Sequence, residues 1–279
     1  MPKAQPLISC LCVTKNKLHL LQRSVNCFYG QSYARKELII VYEGRPTEAS
    51  DWVGQLKDPK IRIVNVSDSP KLSLGELRNI SLAHATGEYF CQWDDDDWYH
   101  RDRLKIQLTQ AVTHRHPATF LMNWLIYDEL NHKAYFSQFG LWEGSILCKR
   151  DVFPRIKYPP QSTSEDSQFL AQLFTRFRVF PVVYPNLYIY VFHGKNTYKK
   201  EHFKTIFSNS QKLSTPSSQL IGDILRGKYS VKTASDLLQS DAMLDEINYF
   251  YNKKQNLRKE VAKQKGKGPK GRYAGIASL

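Results

Sequence analysis

The chain has 279 residues, 42% of them apolar, with 40 Lys and Arg against 26 Asp and Glu and a formal net charge of +14. Such a composition supports a sizeable core in one large domain or two modest ones, and it excludes collagen, low-complexity and disulfide-scaffold chains. No apolar run approaches the roughly 20 residues of a bilayer-spanning helix, and residues 1–16 enter an apolar run without a small-residue cleavage site, so no signal peptide is expected.

Residues 7–13 (LISCLCV) form a continuous apolar run, the pattern of a strand buried on both faces of a parallel sheet. Leu18, Leu21, Val25 and Phe28 then recur at helical spacing within 17–29. Residues 38–42 (LIIVY) read as a second buried strand and 61–66 (IRIVNV) as a third, alternating one. A helix is predicted over 74–85, ended by the turn Ala85-Thr86-Gly87, and a fourth strand over 88–93 (EYFCQW). Alternation at this spacing predicts βαβ units: an α/β fold with a mostly parallel sheet flanked by helices. Beyond 98 the pattern loosens into a helix over 101–113, strands over 120–127 and 134–139, a loop with Pro154, Pro159 and Pro160, and a short helix from Ser164. Two aromatic-rich strands follow at 178–184 and 187–192, and the polar remainder carries one amphipathic segment, 234–251.

The five cysteines, Cys10, Cys12, Cys27, Cys91 and Cys148, make no C-x-x-C pair. Their odd number argues against a disulfide framework, and a reduced, cytoplasmic setting is the default expectation. The positive charge is uneven: nine basic residues and one acid lie between 253 and 272, a net +8 of the +14. This Lys- and Gly-rich tail is predicted to be flexible, and its charge speaks to partners rather than to fold.

The densest chemistry is Asp94-Asp95-Asp96-Asp97, at the end of the fourth strand, where open parallel sheets bind ligands. Two carboxylates about 4 Å apart repel by roughly 4 kcal/mol at an effective dielectric of about 20. A hard divalent cation, Mn2+ or Mg2+, turns that repulsion into binding energy. The plainer reading is a solvated acidic turn before a helix whose dipole favours anions; position and density favour the metal. Neither G-x-G-x-x-G nor G-x-x-x-x-G-K-[ST] is present, so a phosphate-bearing ligand would be held by metal and side chains.

The segment Ser162-Thr163-Ser164-Glu165-Asp166 admits two readings. Ser162 with Glu165, or Thr163 with Asp166, would make a helix capping box; alternatively, one of the two carboxylates is a general base toward an acceptor hydroxyl. His193-Gly194-Lys195-Asn196-Thr197 follows a Tyr- and Phe-rich strand. A lone histidine is usually structural, yet a strand-end imidazole beside a glycine suits Mn2+ ligation alongside carboxylates.

Taken in order, these pieces resemble the family 2 glycosyltransferases, inverting enzymes with the GT-A (Rossmann-like) fold, over residues 7–200. The first strand with Thr14-Lys15-Asn16 is similar to the family's Thr-x-Asn turn, and Gln31-Ser32-Tyr33 to its Gln-Thr-Tyr step. Leu74-Gly75-Glu76-Leu77-Arg78-Asn79 is similar to its Gly-x-x-x-Arg-Asn segment. The most specific block is Gly87-Glu88-Tyr89, the Asp run with its Asp-x-Asp motif, and Asp102-Arg103-Leu104. Glu165-Asp166 falls where the family keeps an acidic catalytic pair, and His193-Gly194-x-Asn196-Thr197 resembles a motif of many bacterial members.

The resemblance implies that Thr14, Glu43 and Arg78 line a uridine pocket, that Asp94 and Asp95 contact ribose or metal, and that Asp96 is the principal metal ligand. It implies that His193 approaches the metal or diphosphate, and that Asp166 is the base with Glu165 as its rival. Three positions depart from the pattern: Tyr42-Glu43 replaces two aspartates, Val13 a proline before the threonine, and Arg101 a proline after the Asp run.

The expected organisation is a GT-A domain over 1–200, with 1–97 binding the nucleotide-sugar and 98–200 facing the acceptor, and a helical, basic C-terminal extension over 201–279. The implied activity is metal-dependent, inverting transfer from a nucleotide-sugar, a UDP-sugar, to a hydroxyl of a glycan or lipid-linked saccharide in polysaccharide biosynthesis. The alternatives are a nucleotidyltransferase, or a non-catalytic protein that binds nucleic acid or an anionic surface through its tail. No nucleic-acid motif accompanies the lysines. Residues 253–272 are expected to contact the inner face of an anionic membrane peripherally, each cation contributing about 1 kcal/mol.

Overall fold

The computed structural model describes residues 5–15, 17–66, 69–140, 142–163, 165–198 and 200–265, with backbone alone at 166 and 254–265. The opening apolar run forms β1 (Ile8–Thr14), and the helical spacing after it becomes α1 (Leu18–Tyr29), which buries Leu20, Leu21, Val25 and Phe28. Then come β2 (Lys36–Glu43), α2 (Glu48–Gln55), β3 (Ile61–Val66), α3 (Leu74–His84) and β4 (Tyr89–Gln92). Ser73 caps α3: its hydroxyl accepts from the Glu76 amide while the Glu76 carboxylate accepts from the Ser73 amide. Both β2 and β4 run parallel to β1, with Leu11 opposite Ile39 and Gln92, so the carboxyl ends of β1 and β4 emerge side by side.

The second half adds β5 (Trp98–Tyr99), α4 (Arg103–Thr113), β6 (Ala118–Leu121), β7 (Leu125–Asp128), β8 (Lys133–Phe136), β9 (Leu147–Lys149), α5 (Glu165–Arg176), β10 (Val179–Val182) and β11 (Tyr188–Phe192). It continues with α6 (Lys200–Ser208), β12 (Gln211–Lys212), α7 (Thr215–Leu225), α8 (Val231–Leu238) and α9 (Asp241–Lys265). One sheet runs β10-β6-β9-β4-β1-β2-β3, parallel except for β9; a second runs β12-β8-β7-β11-β5. Leu11, Ile39, Val41 and Phe90 from the first sheet pack with Leu77 and Leu82 of α3 and Phe169 and Leu173 of α5 in a continuous core. The α/β architecture with a mostly parallel central sheet is the one expected.

Several elements differ from expectation. The single strand predicted over 120–127 is two strands in different sheets: the Met122 amide bonds to Val182 in the first sheet, while the Trp124 amide donates to the Ser137 hydroxyl. An apolar run records burial, not which partner supplies it. Helix α2 escapes sequence reading because its capping box uses Thr47 with Ser50, where the usual signature has Glu or Gln. The amphipathic segment 234–251 is broken after Leu238 and resumes at Asp241.

By its contacts the chain divides into residues 1–239 and 240–279, so the boundary expected at 200 lies inside the first unit, which includes α6, α7 and α8. Helix α9 carries the chain to Lys265, so the first part of the tail expected to be flexible is helical, in keeping with its Gln-, Lys- and Arg-rich sequence. Residues 266–272 lie outside the described residues. All five cysteines are free and buried. Among the described residues no helix is long and apolar enough to cross a membrane.

Candidate active site

Beyond the carboxyl ends of β1 and β4 the four aspartates divide into two pairs. Asp95 and Asp97 are buried, whereas the side chains of Asp94 and Asp96 are 30% and 16% exposed. The Thr14 hydroxyl donates to Asp95 Oδ2 at 2.5 Å; burial, reinforced by the neighbouring Asp96 charge, pushes the Asp95 carboxyl up to about 7. Asp97 accepts from the Tyr188 hydroxyl at 2.5 Å and the Val191 amide at 2.9 Å, and burial drives its carboxyl well above the ordinary range. These two aspartates bind the Asp run to β1 and β11.

Asp94 and Asp96 line a cleft of about 710 Å3, which Asp95 also reaches. Asp96 Oδ2 lies 3.0 Å from His193 Nε2, 3.5 Å from Lys17 Nζ and 3.5 Å from Asn196 Nδ2. Burial opposes ionisation of Asp96, but His193, Lys17 and Arg23 outweigh it and hold the carboxyl below its usual value. Arg23 also donates to the Asp96 carbonyl oxygen. Asp94 Oδ1 is 3.6 Å from Arg78 Nη2.

Arg78 reaches this position because α3 packs tightly against the segment that leads into α5. A Cβ on Gly75 would come within 1.9 Å of the Pro159 carbonyl oxygen, so only glycine permits the approach. The Gly75 amide donates to the Gln161 carbonyl, the Leu74 amide to the Ser162 hydroxyl at 3.2 Å, and Asn79 exchanges two hydrogen bonds with the Tyr158 backbone. Ser162 thus accepts from the first residue of the neighbouring helix α3. Arg78 Nε then lies 3.3 Å from Glu165 Oε1, and Glu165 is 1% exposed. Asp166 follows in the first turn of α5; its side chain, like Ser164 and Asn16, lies outside the described residues.

The wall after β11 turns at Gly194, whose φ of +78° favours glycine. The His193 amide donates to Asn196 Oδ1, and the Lys195 amide donates to His193 Nδ1 at 3.2 Å. With Nδ1 accepting, Nε2 is the ring nitrogen turned toward Asp96. His193, expected to approach the metal or the diphosphate, here stands 3.0 Å from Asp96 Oδ2. The opposite wall is aromatic: Trp124 stacks on Tyr188 with centroids 4.5 Å apart and lies 4.6 Å from Trp142, and the Ser167 hydroxyl donates to Glu143 Oε1.

The expected site residues therefore separate. Arg78, Asp94, Asp95, Asp96 and Glu165 line the cleft. Thr14 stands behind Asp95, and Glu43 accepts from the Leu72 amide at 2.6 Å; neither is a lining residue, so both brace the wall that Val13, Leu72, Leu74 and Leu77 present. Lys17 was missed, although it stands just past the Thr-x-Asn turn at the end of β1.

The donors fit a divalent metal: the cleft-lining carboxylates suit a hard cation, and an ammonium already stands at Asp96. Among the described residues, however, no three His, Cys, Asp or Glu side chains are grouped to hold one, so oxygens of a bound substrate would have to complete the coordination.

The family model described as Glycosyl transferase family 2 matches residues 9–204. WcaA of Escherichia coli K12, named for glycosyl transfer in colanic acid biosynthesis, is 32% identical over 117 residues, which span 40% of this chain and 41% of that protein. The match thus covers less than half of that relative. TarS (1–349) of S. aureus, solved in complex with UDP-GlcNAc, superposes with a TM-score of 0.57 at 12% identity over 86% of this chain and 78% of that one. A mannosyltransferase from Pyrobaculum calidifontis, solved with GDP-Man and Mn2+, gives 0.55 at 16% identity over 86% and 76%. At these identities the likeness shows the fold, which is GT-A.

Proposed function

Since the chain belongs to glycosyl transferase family 2, we propose that it transfers a sugar from a nucleotide-sugar, a UDP-sugar, to a hydroxyl of a glycan or lipid-linked saccharide, with inversion at the anomeric carbon. The observation that carries this reading is Arg78, which ion-pairs with Asp94 of the acidic run and Glu165 of α5 in one cleft. Donor-binding and base-bearing segments meet there.

The nucleoside lies against the wall of Val13, Leu72, Leu74 and Leu77, with Arg78 as its polar neighbour. We assign the general base to Asp166, because Glu165 is buried and engaged by Arg78. The acceptor oxygen attacks the anomeric carbon, Asp166 takes its proton, and the bond from that carbon to the diphosphate oxygen breaks, releasing UDP. Asp96 and Asp94 would hold Mn2+ or Mg2+, and His193 would orient Asp96 for it. When bound, such an ion neutralises charge growing on the leaving diphosphate. Trp142 and Trp124 stand where an acceptor saccharide would stack.

The test is Asp166→Asn with a UDP-sugar panel and acceptors. UDP release should disappear while UDP binding persists; unchanged turnover overturns the base, and release of pyrophosphate overturns the reaction class. The setting follows from the same reading: polysaccharide biosynthesis at the cytoplasmic face of a membrane, with residues 253–272 touching anionic lipid. Equal partition of the full and tail-less chains onto anionic vesicles overturns that contact.

A further inference from the structure

The cation beside Asp96 belongs to the chain itself. Lys17 immediately precedes α1, and its Nζ stands 3.5 Å from Asp96 Oδ2 and 3.5 Å from His193 Nε2. Its side chain is 27% exposed, so the ammonium is partly withdrawn from water and held by the carboxylate that a metal would need. We infer that Lys17 is a resident counter-cation that keeps a divalent metal off Asp96 until a nucleoside diphosphate draws the ammonium away. The inference rests on the nucleotide-sugar reading above.

The argument is electrostatic. An ammonium and a divalent ion on one carboxylate oxygen repel each other, and in a half-buried cleft water screens that repulsion poorly. A metal arriving alone must therefore displace Lys17 into solvent and lose the ion pair. A diphosphate changes the balance, because it offers oxygens to the metal and to the displaced ammonium together. Lys15 and Lys195 line the same cleft, so the flank beside Asp96 is basic where those phosphates would lie. Metal and nucleotide then bind with positive coupling, and by linkage each strengthens the other equally.

The experiment measures Mn2+ binding to the full chain from the EPR signal of free Mn2+, with and without UDP, alongside UDP binding by calorimetry in EDTA. Wild type should bind Mn2+ weakly alone and much more tightly with UDP. Lys17→Met and Lys17→Gln should each bind Mn2+ alone about tenfold more tightly than wild type and bind UDP in EDTA about tenfold more weakly, while Lys17→Arg stays near wild type. Two neutral variants guard against one that fails to fold, which thermal unfolding would reveal. Unchanged Mn2+ affinity without UDP in a folded neutral variant overturns the role of Lys17 and leaves the function standing. Failure of wild type to bind UDP under any condition overturns both.

Discussion

Arg78 and Glu165 form a buried ion pair, Nε to Oε1 at 3.3 Å, joining α3 to the first turn of α5. A buried pair contributes little compared with a well-packed apolar substitute, and Arg78 keeps Asp94 as a second partner. Glu165→Ala should therefore lower the unfolding free energy by about 1–3 kcal/mol, less than a stranded charge would cost, read by urea denaturation, and loosen UDP binding through Arg78. If Glu165→Ala melts like wild type yet abolishes turnover, Glu165 is the base and the assignment to Asp166 is overturned.

The division of the Asp run predicts opposite responses at adjacent positions. Asp97→Asn keeps an acceptor for the Val191 amide and a partner for Tyr188, and should stay within about 1 kcal/mol of wild type. Asp97→Ala leaves that amide buried without its acceptor and should cost about 1–3 kcal/mol. Asp96→Asn should weaken Mn2+ binding in the presence of UDP, and should cost some stability at neutral pH because the ionised carboxylate is favoured by His193, Lys17 and Arg23. Equal Mn2+ binding by Asp96→Asn and Asp97→Asn would show that the parity has been misread.

Gly75→Ala should destabilise the protein by about 1–3 kcal/mol or more, because its methyl meets a backbone carbonyl and not a movable side chain. The prediction is checked by thermal unfolding. A fully stable Gly75→Ala protein would mean that α3 and the 158–161 segment separate without penalty.

His100 supplies a pH dependence away from the cleft. It is buried, its Nδ1 accepts from the Asp102 amide at 3.0 Å, and burial lowers its pKa. A depressed histidine pKa means that the folded form binds protons less readily than the unfolded chain. Its contribution is thus complete above the ordinary histidine value of about 6.5 and is lost as pH falls below it. Melting temperatures of wild type and His100→Gln, taken between about pH 8 and about pH 5, should converge toward the acid end. Parallel curves would contradict the burial argument.

Much of the first half was legible because its signals are local. The run at 61–66 is β3 residue for residue, and the apolar run at 7–13 leads to β1 and hence to the place of the Asp run. What was not legible depends on partners distant in sequence. Nothing in Tyr42-Glu43 announces that Glu43 takes the Leu72 amide, and nothing in Lys17 announces Asp96, 79 positions later. The turn dividing 120–127 is equally silent, since both pieces are apolar and only the second sheet distinguishes them.

The Asn79–Tyr158 hydrogen bonds and the Gly75–Pro159 contact have a consequence for catalysis. They tie the helix that carries Arg78 to the segment leading into the first turn of α5, where the proposed base stands, so the spacing between those two elements is established during folding. Little of the donor's binding energy then goes into assembling this half of the site; the reacting geometry is preorganised, and the entropy of ordering it is not charged to each turnover.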